Sequence, residues 1–248
     1  MLSAKPWRLE VVLWFCAAQT VALCLGLSII AVLQKAGFAA FQPPAGSGAV
    51  LLGTLTFQGA TWVLIPFFLR QHHVDWRDAF GLHWAELKRA WFPAIPIVIV
   101  FLPVVALLQA VLIYIFQKIG WSPETEAAVT VLAGAQSLWL QAYLVAFYIV
   151  VGPVAEEFIF RGMLYPFFKQ RSHPVLAWFF VSFLFALVHW DLVAFLPLFL
   201  LALILTWLYE LTNTLLAPIT AHALFNMAGV IIFYFGEKIA HFFHIHVT

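Results

Sequence analysis

The sequence predicts an all-α fold, a polytopic bundle of membrane-spanning helices, and three observations carry that reading. Hydrophobic residues make up 65% of the 248-residue chain and charged residues 9%, against about 45–50% and about 25% in soluble domains. The mean hydropathy is +1.00. The apolar residues also fall in runs close to the ~20 residues that a helix needs to cross a bilayer. A chain so short of charge cannot cover its own surface in water. The same arithmetic excludes a disordered chain, a nucleic-acid-binding surface and a disulfide-stapled scaffold, since net charge is only +1 and there are 2 cysteines. Both of those, Cys16 and Cys24, lie in the first apolar run and read as packing residues.

Seven spans are expected, over residues 11–33, 50–69, 91–116, 131–151 with an extension to 168, 175–188, 192–208 and 215–235. The count becomes eight if the stretch after Gly152-Pro153 re-enters the membrane as its own helix. The first run is about twice as long as a signal-peptide core and lacks a small-residue cleavage site, so it reads as a retained span. The Gln42–Gly48 and Gln71–Arg89 stretches read as loops. With the N-terminus inside, that face receives Lys5, Arg8, Arg70, Arg77, Lys88, Arg89, Lys169 and Arg171, and the other receives Lys35, Lys118 and Lys238. The excess predicts a cytoplasmic N-terminus. The chain divides into an N-terminal group of spans (1–130), without a recognisable motif, and a region holding the polar motifs (131–248).

Ionisable groups inside a span cost several kcal/mol unless paired or hydrated, so they mark functional candidates. Four places qualify: Glu156-Glu157 with Arg161, Phe185 with His189, His222 with Asn226, and Glu210. Residues four apart share a helix face, and a glutamate preceding a cation at that spacing is the favourable order. Glu157 and Arg161 should therefore pair. Glu156, rotated by about 100°, is left to face a cavity, where a carboxylate in a low-dielectric site is suited to take up a proton near neutral pH. His222 and Asn226 also share a face. Helix rise puts Glu156 and His189 at similar depths on antiparallel neighbours, and Gly152-Pro153 should kink the first of these helices and open it to polar groups.

With those residues in place, the chain resembles the CPBP family of intramembrane proteases, which includes the type II CAAX prenyl endopeptidases and the Abi-like bacterial proteins. The motifs are Glu156-Glu157-Phe158-Ile159-Phe160-Arg161, Phe185 to His189, and His222 to Asn226, over roughly residues 142–230. The resemblance implies a glutamic-type peptidase in which Glu156 and His189 activate a water and His222 and Asn226 donate to the oxyanion. It further implies that Glu157 and Arg161 organise the site, with Phe185 packing beneath His189. The expected partners are the lipid bilayer and a protein or peptide substrate, engaged near its C-terminal region, with no nucleic acid. No cofactor is expected. A divalent metal on the two acids and two histidines is the variant to weigh, although no His-Glu-x-x-His signature is present. The competing readings are a non-catalytic binding or immunity protein of the same fold and a proton-relay transporter, the latter disfavoured by the lack of paired inverted halves. The His241-Phe242-Phe243-His244-Ile245-His246 tail reads as an interfacial end.

Overall fold

A computed structural model describes residues 2–42, 46–121, 127–135 and 137–242, and every regular element among them is helical. In chain order these are α1 (Leu9–Lys35), α2 (Ser47–Gln71), α3 (Trp76–Phe80), α4 (Leu87–Lys118), α5 (Ala127–Gly134), α6 (Leu138–Lys169), α7 (Pro174–Leu187), α8 (Phe195–Thr212) and α9 (Leu216–Phe242). Part of the predicted first loop (43–45) and the histidine-rich tail (243–248, with the side chain of His241) lie outside the described residues.

Among the described residues six helices are long and apolar enough to cross a membrane: α1, α2, α4, α6, α8 and the Leu216–Phe235 part of α9. The segment read as the fifth span is the exception. It forms α7, which has only 14 residues, or about 21 Å at helical rise, short of the ~30 Å hydrocarbon layer. The eighth span does not form either, because α6 runs unbroken through Gly152-Pro153. Proline has no N–H for the helix ladder, and the chain absorbs the defect by widening locally. Phe147–Val151 and Phe158–Leu164 are π-type turns, the form in which helices accommodate one extra residue.

Small residues set the packing. Ala90 and Ala94 of α4 meet Ala217 and Ala221 of α9 in one buried cluster with Leu205 and Leu208 of α8, which lets the backbones approach closely without lipid between them. α7 and α8 are antiparallel, with the Trp178 indole donating to Leu203 O at 2.9 Å and the rings of Phe183 and Phe195 5.5 Å apart. At one end of the bundle the connections are locked. Gly81, at φ +66°, closes α3, and a Cβ there would lie 2.5 Å from Asn213 O. Leu215 N donates to Phe80 O at 2.9 Å and the Thr214 hydroxyl donates to Gly81 O at 2.6 Å.

Residues 2–8 run along this same end as a tied-down strap. Leu2 N donates to Glu210 Oε2 at 3.0 Å, Lys5 Nζ to Asp78 O at 3.3 Å, and the Arg171 guanidinium to Trp7 O at 2.9 Å. The buried Trp7 indole donates to Gly162 O at 2.9 Å. That carbonyl sits four residues before Pro166, whose missing N–H would otherwise have served it. Glu210, the fourth polar candidate of the sequence, belongs to this end: Tyr165 Oη donates to it at 2.7 Å and Lys169 Nζ pairs with it.

His72 closes the strap. Its Nδ1 lies 2.7 Å from Phe68 O, which can only accept, so Nδ1 carries the proton; Nε2 accepts the Arg8 N–H at 2.9 Å. Both bonds require neutral imidazole, and burial holds the group below the ordinary histidine range. Because the docked strap disfavours the proton, its stabilisation is complete above the ordinary histidine pKa and is lost as pH falls from there through the lowered value. Protection of the residue 2–8 amides against exchange, taken relative to the unstructured rate at each pH, should therefore fall as pH drops below the ordinary histidine value of about 6.5, and His72→Phe should abolish that pH dependence.

Candidate active site

Three helices deliver the polar residues to the bundle interior. On α6, Glu157 and Arg161 form an ion pair at 2.9 Å with both side chains fully buried. The guanidinium is satisfied on its other edges by α8: Nη2 donates to Ala202 O at 3.1 Å and Nε to Thr206 Oγ1 at 3.3 Å. Its flat face lies over the Phe185 ring of α7, 4.5 Å from the centroid, a favourable contact for a cation with little water around it. Thr206 and the Ala202 carbonyl were not singled out from sequence. A lone threonine in an apolar run is an ordinary sight, and a backbone carbonyl has no sequence signature.

From α9, His222 approaches both acids. Its Nδ1 lies 2.9 Å from Glu157 Oε1, and its Nε2 lies 3.8 Å from Glu156 Oε2. The first contact is a hydrogen bond, with Nδ1–H as donor. The second is too long for one and is attractive only when a proton sits on Nε2. His222 thus links the pair that is locked to the acid that is not. The Glu156 side chain keeps 15% of its surface open, whereas that of Glu157 has none.

His189 sits just past the end of α7. Its Nδ1 lies 2.7 Å from Phe185 O and must donate there, which leaves Nε2 of the neutral ring as an acceptor with no protein partner among the described residues. The depth of His189 follows from Phe185, whose ring is 5.1 Å from that of Phe160 on α6. Four residues onward along α7 and four back along α6 are equal climbs of about 6 Å, so His189 stands near the level of Glu156. The two side chains make no ion pair with each other among the described contacts. Phe185 itself is completely buried, 4.8 Å from the His189 ring and 5.7 Å from that of His222, so it packs against both histidines.

Asn226 is placed differently from what shared-face spacing alone suggested. Its Nδ2 donates to Tyr148 O at 2.8 Å. Within the π-turn of α6, the Gly152 N–H turns to Phe147 O, and Pro153 has no N–H to offer five residues beyond Tyr148. Asn226 therefore serves a carbonyl that the helix cannot, and one of its two amide hydrogens is committed to α6. Among the described residues no group of three His, Cys, Asp or Glu side chains is arranged to hold a metal ion.

The arrangement separates two jobs. Glu157, Arg161, His222 and Phe185 form a dry, cross-braced block over α6, α7, α8 and α9. Glu156 and His189 stand at its open edge with basic atoms uncommitted to that block. Removing one side of the buried pair leaves an uncompensated charge, which costs about 3–5 kcal/mol, whereas replacing both sides with apolar groups is far less harmful. Arg161→Leu should accordingly destabilise the protein more than the double variant Glu157→Leu/Arg161→Leu, as read from unfolding in mixed detergent micelles.

No curated protein and no solved structure matches the chain. Residues 137–228 match the family model described as type II CAAX prenyl endopeptidase Rce1-like, and that stretch contains Glu156, Glu157, Arg161, Phe185, His189, His222 and Asn226. With six helices among the described residues long and apolar enough to cross a membrane, the chain is an integral, multi-pass membrane protein, and its 137–228 stretch is similar to a protease family. Over residues 137–228 the chain is similar to the type II CAAX prenyl endopeptidase Rce1-like family.

Proposed function

We propose that the chain is an intramembrane endopeptidase of glutamic type, which hydrolyses a peptide bond near the C-terminus of a membrane-associated protein. The observation that carries this reading is the tautomer of His189. With its Nδ1–H held by Phe185 O, the ring offers an acceptor Nε2 at the level of the partly open Glu156 carboxylate. A water between them donates one O–H to each. Glu156 takes one proton as the water oxygen adds to the scissile carbonyl carbon. The tetrahedral oxyanion then collapses, the C–N bond breaks, and Glu156 returns its proton to the leaving nitrogen. His222, when protonated at Nε2, and the remaining Asn226 N–H supply donors near the developing negative charge. The block of Glu157, Arg161 and Phe185 holds these groups in register and touches no reacting atom. The substrate region and the prenylated class come from the family's description, and the cytoplasmic N-terminus comes from the basic residues gathered at the strap end of the bundle.

Membrane fractions from cells with wild type or Glu156→Ala should differ in the C-termini of a small set of membrane proteins, and His189→Ala should reproduce the difference. Each variant should lose about 10²–10⁴-fold in cleavage rate at unchanged expression. Full function in both would reject the enzyme in favour of a binding protein of the same fold. The proposed chemistry uses no metal ion. Chelation by phenanthroline should leave cleavage by the purified protein unaltered, and complete loss restored by added zinc would overturn the metal-free mechanism.

A further inference from the structure

Gln58 is a polar residue that the sequence motifs do not include. It lies near the middle of α2, inside the π-type turn Leu55–Gly59, where an amide in a spanning helix is costly without a partner. Its side chain is partly buried and forms no hydrogen bond among the described residues. The turn that displays it is secured from behind, with Gln19 Nε2 of α1 and Thr61 Oγ1 both donating to Phe57 O, at 2.7 and 2.9 Å. Gly152 faces it from α6. A Cβ added at Gly152 would lie 3.9 Å from Gln58 Nε2 and 3.9 Å from Glu156 Oε1. The amide and the proposed base therefore both border the place a side chain would take at Gly152, which the Phe147 carbonyl oxygen borders as well, 3.3 Å from the same Cβ position.

The donors already described are largely spoken for. His222 Nδ1–H belongs to Glu157, and one Asn226 N–H belongs to Tyr148 O. Gln58 has both amide hydrogens available. A substrate carbonyl oxygen placed about 2.9 Å from the amide nitrogen would turn its carbon toward a water held by Glu156. We propose that Gln58 is a catalytic residue of the protease, donating a hydrogen bond to the substrate carbonyl that strengthens as the oxygen becomes negative. This rests on the proposed peptidase reading and adds to it a substrate contact from the N-terminal group of helices, outside the region matched by the family.

The test uses the full chain in proteoliposomes and an internally quenched, prenylated peptide ending in cysteine, two aliphatic residues and a variable last residue. Gln58→Leu should lower kcat by about 10²–10³-fold, the loss seen on removing one such donor, with little change in KM. Its thermal midpoint should stay equal or rise, because an amide without a partner is removed from an apolar setting. Gln58→Glu keeps the shape but has no N–H, and should lose as much. A Gln58→Leu variant with kcat within threefold of wild type overturns the assignment. So does a rise in KM alone, or a loss of rate accompanied by a lowered thermal midpoint, which would make Gln58 structural. Absence of cleavage by wild type would instead overturn the peptidase reading and its substrate class.

Discussion

Glu157 has no route to water, and what surrounds it follows from that constraint. A carboxylate at full burial must be neutralised and hydrogen-bonded, or the helix that bears it does not stay where it is. Arg161 answers one turn below, and its own donors then need acceptors, which α8 provides through the Ala202 carbonyl and Thr206. The face of the guanidinium needs an electron-rich surface, which α7 provides through Phe185. The remaining capacity of Glu157 Oε1 holds His222 of α9. Four helices are thus oriented by the demands of one anion. Glu156 sits beside this block and can stay partly exposed without weakening the scaffold.

A second theme is the carbonyl that a helix cannot serve. The prolines of α6 take donors out of its ladder, and side chains from elsewhere fill the places: Asn226 at Tyr148 O and Trp7 at Gly162 O. In hydrocarbon such bonds are close to obligatory, because water is not at hand to substitute. Each therefore works as a locating pin between distant parts of the sequence. The strap formed by residues 2–8 is fixed in this way to the same helix that bears both acids.

Much of this architecture was legible in the sequence. The spans followed from hydropathy, and the Glu157–Arg161 pair followed from helical spacing, because both depend on local periodicity. The run that forms α7 was placed within one residue of the helix, Pro174–Leu187, but was counted as a span although 14 residues fall short of the hydrocarbon layer. Asn226 could be placed on the correct face but not given its partner, because the available acceptor was a backbone atom created by a proline 73 positions away. Thr206 and Gln58 escaped notice for a related reason. Each is an isolated polar residue, and only tertiary packing shows that one meets a guanidinium and the other faces a carboxylate across a glycine.

The shortness of α7 has a consequence for the membrane itself. A helix about a third shorter than the hydrocarbon layer leaves a mismatch that lipids relieve by thinning nearby, and α7 ends at the polar group His189-Trp190-Asp191, with the Asp191 carboxylate capping the approach to α8. Thinning of that kind would bring the headgroup region and its water toward His189 on that side. The proposed hydrolysis consumes water, and a locally shallow bilayer would supply it without a pore through the protein.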